Sequence, residues 1–300
     1  MKVARPRLAR ISAPGSNLRS LLMNSAAKIT LGAVPYFWHK ETYFEFYDKV
    51  ASTDVDSVYL GETVCSKRRQ MRMQDWLEVA ELLQNKGKQV VLSTLTLLEA
   101  ESELKMLSQI ASQKDFLIEA NDMAVVQIAS QAGNAFVAGC AINLYNNQSL
   151  KRLIDCGMRR WVVPVELSAT DIEPLVSFAK EKGVEVEYQV FGRMPLAYSA
   201  RCFTARHHQL PKDNCEFKCL DYPQGIEVNT QEGDAFAQIN GIQTQSMKVS
   251  NLLSIADQVH QAGVDCLRVV PVEPQSSIDA LNFLAEWRQG NKPAFDHPEY

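Results

Sequence analysis

From residue 29 onward, short runs rich in β-branched and aromatic residues alternate with longer stretches whose apolar positions recur at helical spacing. The runs at 29–34, 55–60, 89–93, 116–119, 136–140, 161–165, 184–191 and 264–270 predict strands. Between them, stretches such as 71–85 and 172–182 predict helices, followed by Gly87 and Gly183 near the helix ends, where glycine is the expected stop signal. Ser168, three residues before Asp171, predicts a helix start, with Asp in place of the usual Glu or Gln of a capping box. Alternation of strand and helix implies a parallel sheet, and eight is the strand count that closes a barrel. The expected fold is therefore α/β, a TIM-like (β/α)8 barrel. The other arrangement, an open doubly wound sheet, is weakened in its dinucleotide-binding form because no GxGxxG follows the first strand.

One connection breaks the rhythm. After the seventh strand, residues 193–250 separate it from a helix expected near Asn251, far longer than an ordinary βα loop. The segment holds Pro195, Pro211 and Pro223, three cysteines, and a two-strand pattern around 226–228 and 236–242. It reads as an insertion into the barrel, which otherwise spans 29–300 as a single domain.

Composition changes the picture in two places. The chain of 300 residues is 46% hydrophobic and 22% charged, which excludes collagen-like, disordered and disulfide-scaffold classes. It has no run near the roughly 20 apolar residues that a membrane helix needs. The net charge of −4 is unevenly distributed. Residues 1–28 carry Lys2, Arg5, Arg7, Arg10, Arg19 and Lys28 and no acid, leaving 25 bases against 35 acids in the rest. An acidic body argues against broad nucleic-acid binding. The basic leader lacks the compact apolar run of a secretion signal. It reads either as a disordered leader, loosely like a transit peptide, or as residues ahead of a start at Met23.

Seven cysteines without a secretion signal point to a reducing cytoplasm, where thiols serve packing, metal or catalysis. Cys140, Cys156 and Cys266 lie in apolar segments and are expected as buried core thiols. Cys65, Cys202, Cys215 and Cys219 lie in polar surroundings. Cys65 follows the second strand, and the others follow the seventh. In a parallel barrel, both segments emerge at the C-terminal face, so topology brings the four together. Lys67, Arg68, Arg69 and Arg72 flank the first, and Arg201, Arg206 and Lys212 flank the rest. Cations lower thiol pKa values and offset the charge of a thiolate cluster. Three readings stand: a shared zinc or iron–sulfur site, a reactive or redox thiol, and no shared site. The spacing, with two single cysteines and one C-x3-C, fits a zinc knuckle poorly.

The stretches 59–69 (YLGETVCSKRR), 92–95 (LSTL), 161–168 (WVVPVELS), 194–206 (MPLAYSARCFTAR), 211–215 (PKDNC) and 240–244 (NGIQT) resemble the peptidase U32 family, and within it the branch serving ubiquinone biosynthesis. The resemblance covers roughly 29–290. It implies a barrel-like fold and a 4Fe-4S cluster whose ligands map onto Cys65, Cys202, Cys215 and Cys219. It further implies a heterodimer with a sister protein, UbiU, and cooperation with the lipid-carrier protein UbiT. Together these support oxygen-independent hydroxylation of the ubiquinone precursor ring, with prephenate as a candidate oxygen donor because related members use it on RNA.

The peptidase label finds little in the residues. There is no HExxH helix and no GxSxG elbow. His207 and His208 follow Cys202 closely but are expected as surface residues of the insertion, and His39 and His260 as surface or packing residues. Glu62, Glu119, Glu166 and Asn143 fall at strand ends, where barrel enzymes place catalytic groups. The competing expectation is that they satisfy loop donors or pair with the arginines, and none is assigned a catalytic role. A zinc-pinned structural barrel serving a partner is the alternative to the cluster.

Overall fold

The computed structural model describes residues 26–111, 113–291 and 293–295. Most of the basic leader, residues 1–25, lies outside them, and Lys28 already opens the first strand. The strands are β1 (Lys28–Leu31), β2 (Ser57–Leu60), β3 (Gln89–Ser93), β4 (Leu117–Ala120), β5 (Phe136–Ala138), β6 (Met158–Val162), β7 (Glu185–Tyr198), β8 (Ile226–Asn229), β9 (Ala235–Asn240), β10 (Gln243–Asn251) and β11 (Cys266–Val269). The helices are α1 (Lys40–Ala51), α2 (Met73–Asn85), α3 (Glu101–Ala111), α4 (Met123–Ala132), α5 (Asn147–Asp155), α6 (Ala169–Glu181), α7 (Phe203–His207), α8 (Ala256–Gln261) and α9 (Pro274–Arg288).

Strands β1 to β7 pair in sequence order and in parallel, and β11 joins β7 to β1, closing an eight-stranded barrel. This is the expected TIM-type (β/α)8 fold. Closure buries both strand faces. Along β3, Val90 and Leu92 join the large apolar layer under the helices, while Val91 joins Ala33, Tyr59, Val137 and Val162 in a separate interior cluster. Alternation of side chains across a strand produces this split.

Beside that small cluster the barrel interior carries charge as well as hydrocarbon. Glu187, with no exposed surface, accepts from Thr30 Oγ1 at 2.7 Å, from Arg268 Nη1 at 3.1 Å and from the Tyr59 hydroxyl. Arg160 Nη1 stands 3.5 Å from Oε2, the oxygen that Tyr59 contacts, while Thr30 and Arg268 share Oε1. Arg268 also donates to Glu119 Oε1 at 2.8 Å and lies over the Tyr59 ring, 4.3 Å from its centroid. Two guanidiniums against Glu119 and Glu187 leave this interior set without net charge.

The local signals act as read. Ser168 accepts from Asp171 N at 3.3 Å and starts α6, and Gly87 and Gly183 take left-handed φ values of 77° and 69° behind α2 and α6. Gly61 ends β2 at φ 136°, where an added Cβ would sit 2.5 Å from the Ser93 carbonyl oxygen.

Several boundaries move. β6 begins at Met158 rather than 161, because Arg160 points into the barrel and is 1% exposed despite its charge. β5 stops at Ala138 and gives way to a 3-10 turn at Cys140–Ile142. β7 does not stop at 191 but runs on to Tyr198 and pairs antiparallel with β10. That strand was not expected, and the helix foreseen near Asn251 begins at Ala256. β10 carries Gln243 and Gln245 on its buried face, so its pattern lacks the apolar alternation by which strands are read. With β8 and β9 it forms an antiparallel extension standing on the barrel through β7. Among the described residues, no helix is long and apolar enough to cross a membrane.

Candidate functional site

The loop after β2 is organised by Glu62. Its carboxylate accepts from Val64 N at 2.8 Å and Cys65 N at 3.0 Å, which turns the Cys65 backbone tightly behind Gly61. Burial pushes the Glu62 carboxyl above its ordinary range, opposed by Arg68 and these backbone donors.

The insertion brings the other three thiols to the same place. Cys202 precedes α7, and its Sγ accepts from Ala205 N at 3.5 Å, the contact of an N-cap side chain. The turn between β9 and β10 then clasps α7: Phe203 N donates to Gly241 O at 2.8 Å, and Gly241 N donates to Thr204 Oγ1 at 3.0 Å. Between Cys215 and Cys219, both Glu216 and Phe217 are left-handed, with φ 52° and 53°. Two consecutive non-glycine residues in that region cost about 1–2 kcal/mol each, strain of the kind that gathers at functional sites.

Cys65, Cys202, Cys215 and Cys219 line one small cavity together with Lys67, Arg68, Thr204, Phe217, Lys218 and Gly241. The topological argument for convergence therefore describes what the chain does. All four thiols are half-buried. Burial pushes the Cys65 thiol up and the Cys219 thiol up to about 11, both against the pull of Arg68. Among the described residues, no three His, Cys, Asp or Glu side chains stand as close as the ligands of one metal ion would. The donor set is nonetheless all sulfur, the chemistry that soft metals and iron–sulfur clusters use. An added cluster would place negative charge beside the buried Arg68 guanidinium, whose Nε has no hydrogen-bond partner among the described residues.

Arg68 donates from Nη1 to Pro35 O at 2.8 Å and from Nη2 to Asn240 Oδ1 at 2.6 Å, and it stands 3.8 Å from Glu62. Lys67 reaches Lys212 O at 2.9 Å and Asp213 Oδ1 at 2.8 Å, and Lys212 reaches Ala200 O at 2.8 Å. The two basic runs thus meet only in part. Arg69 and Arg72 line a neighbouring apolar cleft of about 1220 Å³ with Met71, Trp76, Met106 and Ile110, and Arg201 and Arg206 do not line the thiol cavity. Lys218, inside the C-x3-C and not counted among the flanking cations, does line it.

The remaining thiols divide. Cys266 is buried as expected, but Cys140 and Cys156 are only half-buried. Cys140 sits on the turn after β5 at the barrel mouth, where burial pushes it up to about 11, and Cys156 caps the end of α5. The strand-end carboxylates are all engaged. Glu62 pairs as above, Glu119 holds Arg268 and accepts from Ser93 Oγ at 2.6 Å, and Glu166 accepts from the Tyr145 hydroxyl. Asn143 is left-handed, with φ 59°. His207 packs on His208, which packs on Tyr222, and His208 Nε2 has no hydrogen-bond partner among the described residues. No imidazole orients a thiol there. His39 precedes α1 on the surface, and His260 Nδ1 lies 2.8 Å from Val264 O beside Trp287.

A second pocket, a space of about 580 Å³ counted out into open solvent, lies where the barrel meets the insertion. Asn121, Gln189, Arg193, Tyr198, Gln243 and Gln245 give it polar walls. Sequence reasoning missed it, because most of these residues lie in the insertion or on β10.

The family model described as Peptidase family U32 matches residues 43–274. Solved structures similar to this chain include an uncharacterized B. cereus protein, at 8% identity and TM-score 0.47, covering 87% of this chain and 65% of that one. A D-glucarate dehydratase from Agrobacterium tumefaciens complexed with magnesium matches at 11% identity and TM-score 0.40, covering 57% and 49%. A tryptophan synthase complex from Pyrococcus furiosus matches at 12% identity and TM-score 0.46, covering 88% and 96%. The chain spans less than two thirds of the length of the first two.

Proposed function

The chain belongs to peptidase family U32, and from that premise we propose that it is an iron–sulfur protein acting as the ubiquinone-biosynthesis protein UbiV does. In this reading it pairs with UbiU as a heterodimer, with UbiT as lipid carrier, in oxygen-independent hydroxylation of the ubiquinone precursor ring in the cytoplasm. Prephenate is the candidate oxygen donor. The observation that carries the reading is the single cavity lined by Cys65, Cys202, Cys215 and Cys219, drawn from two segments far apart in the chain.

Those four residues would hold a 4Fe-4S cluster, which when bound supplies one-electron chemistry. The chain's own part is electrostatic and mechanical. Arg68 and Lys67 offset thiolate charge. Glu62 fixes the Cys65 turn, and the α7–Gly241 clasp holds the insertion over the barrel. The apolar cleft on the other side of the 61–72 loop, with Arg69 and Arg72, supports an apolar, anionic substrate near this site. Among the described residues, peptidase activity has no thiol–imidazole pair to rest on.

The test is anaerobic purification of wild type and Cys65→Ala with iron and sulfide analysis and a visible spectrum. Near four irons and four sulfides per chain, with broad absorption around 400 nm that falls in the variant, supports the reading. A colourless protein holding one zinc, or no metal after reconstitution, overturns it.

A further inference from the structure

We propose that the mouth of the barrel is a binding site for a small organic acid with an apolar body, whose carboxylate is held by Arg193. This site is separate from the thiol cavity and does not depend on what the thiols bind.

The argument starts from charge. Arg193 lies on β7 just beyond the point where that strand leaves the barrel, and it lines this pocket while only 8% exposed. Its Nη1 donates to Ser246 O at 3.2 Å, and its Nε is buried with no hydrogen-bond partner among the described residues. A guanidinium does not deprotonate, so the buried charge persists and carries a desolvation cost unless an anion meets it. No carboxylate of the described residues does. The interior acids are committed, Glu119 to Arg268 and Glu187 to Arg268 and Arg160, and Glu166 at the rim is held by Tyr145. Of the two guanidiniums that line the cavity, Arg268 is thus compensated, and among the described residues Arg193 is left without a carboxylate.

The rest of the wall says what kind of anion fits. Asn121, Gln189, Gln243 and Gln245 are neutral amides, largely occupied with one another and with backbone. Tyr198 OH accepts from Gln243 Nε2 at 3.1 Å, which leaves its proton for a ligand oxygen. Ala33, Val162, Val163, Val165, Pro195 and Val270 also line the pocket, a surface for hydrocarbon. A polar wall, in which Arg268 is already paired with Glu119 and Arg193 is not paired, and an apolar remainder are the usual division of labour in a small-molecule pocket. The location, at the C-terminal ends of the barrel strands, is where barrels of this kind bind ligands.

The test uses the full chain and four probes: benzoate, cyclohexanecarboxylate, the neutral isostere benzamide, and inorganic phosphate. Calorimetry and thermal shift are read on wild type, Arg193→Gln and Arg193→Lys. Both organic acids are expected to bind wild type saturably and raise its Tm, with benzamide and phosphate weaker. Arg193→Gln is expected to lose about tenfold or more in acid affinity, the loss of one charge-assisted hydrogen-bonded contact, and Arg193→Lys to keep part of it. Without ligand, Arg193→Gln is expected to melt no lower than wild type, because it removes an uncompensated buried charge. The proposal is overturned if the acids bind Arg193→Gln as well as wild type, if benzamide or phosphate binds as tightly as the acids, or if the unliganded variant melts well below wild type.

Discussion

Arg68 and Asn240 are 172 residues apart in sequence, and the guanidinium of the first donates to Oδ1 of the second at 2.6 Å. This contact ties the loop after β2 to the hairpin of the insertion. Asn240 in turn donates to Pro35 O at 2.7 Å, so both residues converge on one carbonyl behind β1. Arg68→Met is expected to cost about 3–5 kcal/mol in urea unfolding, because it leaves the Glu62 carboxylate buried without its cation. Asn240→Ala removes a neutral amide that accepts from Arg68 and donates to Pro35 O, leaves the Arg68–Glu62 pair in place, and is expected to cost about 1–3 kcal/mol. Equal losses in the two variants would show that the charge at position 68 does not matter.

The barrel interior makes a sharper electrostatic prediction. Glu187 is the shared acceptor of Thr30, Tyr59 and Arg268. Glu187→Ala is expected to destabilise by about 3–5 kcal/mol, since it removes the one carboxylate that Arg160 and Arg268 share and leaves Arg160 only the half-exposed Glu185 and Arg268 only Glu119. Pairing Glu187→Gln with Arg268→Gln is expected to cost less than the sum of the single changes, with a coupling of about 0.5–3 kcal/mol in a double-mutant cycle. Strict additivity would mean the network carries no mutual energy.

At the opposite end of the barrel, Glu185 contacts Lys28 and accepts from Arg160 Nε at 2.9 Å. Burial alone would raise its carboxyl, but Arg160 and Lys28 hold it below the ordinary value of 4.5. A carboxyl with a depressed folded pKa binds fewer protons folded than unfolded. Its contribution is therefore present above the unfolded pKa and lost as pH falls through the folded one. With the side chain 35% exposed, that contribution is at most about 1 kcal/mol. Tm measured from about pH 6 down to about pH 3 is expected to fall less steeply for Glu185→Gln than for wild type. An unchanged slope would remove Glu185 from the acid response.

Gly61→Ala probes the geometry that aims the Cys65 loop. The new Cβ would meet the Ser93 carbonyl at 2.5 Å in a backbone of φ 136°. Both partners are main chain, so neither can yield cheaply, and a loss of at least about 2 kcal/mol is expected by urea unfolding. Gly87→Ala also has a positive φ, 77°, but meets nothing within 4 Å, and is expected to cost about 1 kcal/mol. Similar losses would locate the cost in φ rather than in contact.

For the thiols, Cys202→Ala, Cys215→Ala and Cys219→Ala are each expected to lower iron content as Cys65→Ala does, while Cys140→Ser and Cys156→Ser leave it unchanged. Iron and sulfide analysis of anaerobic preparations separates the two groups. Loss of iron in a Cys140 or Cys156 variant, with the four others unaffected, would move the site away from the thiol cavity.

Local chemistry along the chain determined the eight alternations of strand and helix, the glycine stops behind α2 and α6, and the Ser168 start of α6. These depend on backbone propensity and on periodicity, which neighbouring residues carry. Barrel topology carried the argument one step further, since it places every strand-following segment at one face, and so Cys65 could be grouped with Cys202, Cys215 and Cys219 before any contact was known. What the tertiary structure decided was burial against expectation. Arg160, Glu187 and Arg268 lie inside the barrel although their charge argues for solvent, because each compensates another across strands distant in sequence. β10 forms because β7 overruns the barrel and offers it an edge, although its buried face is built of glutamines. Arg193 lacked any signal in the sequence, for an unpaired charge is a property of its surroundings rather than of the residue.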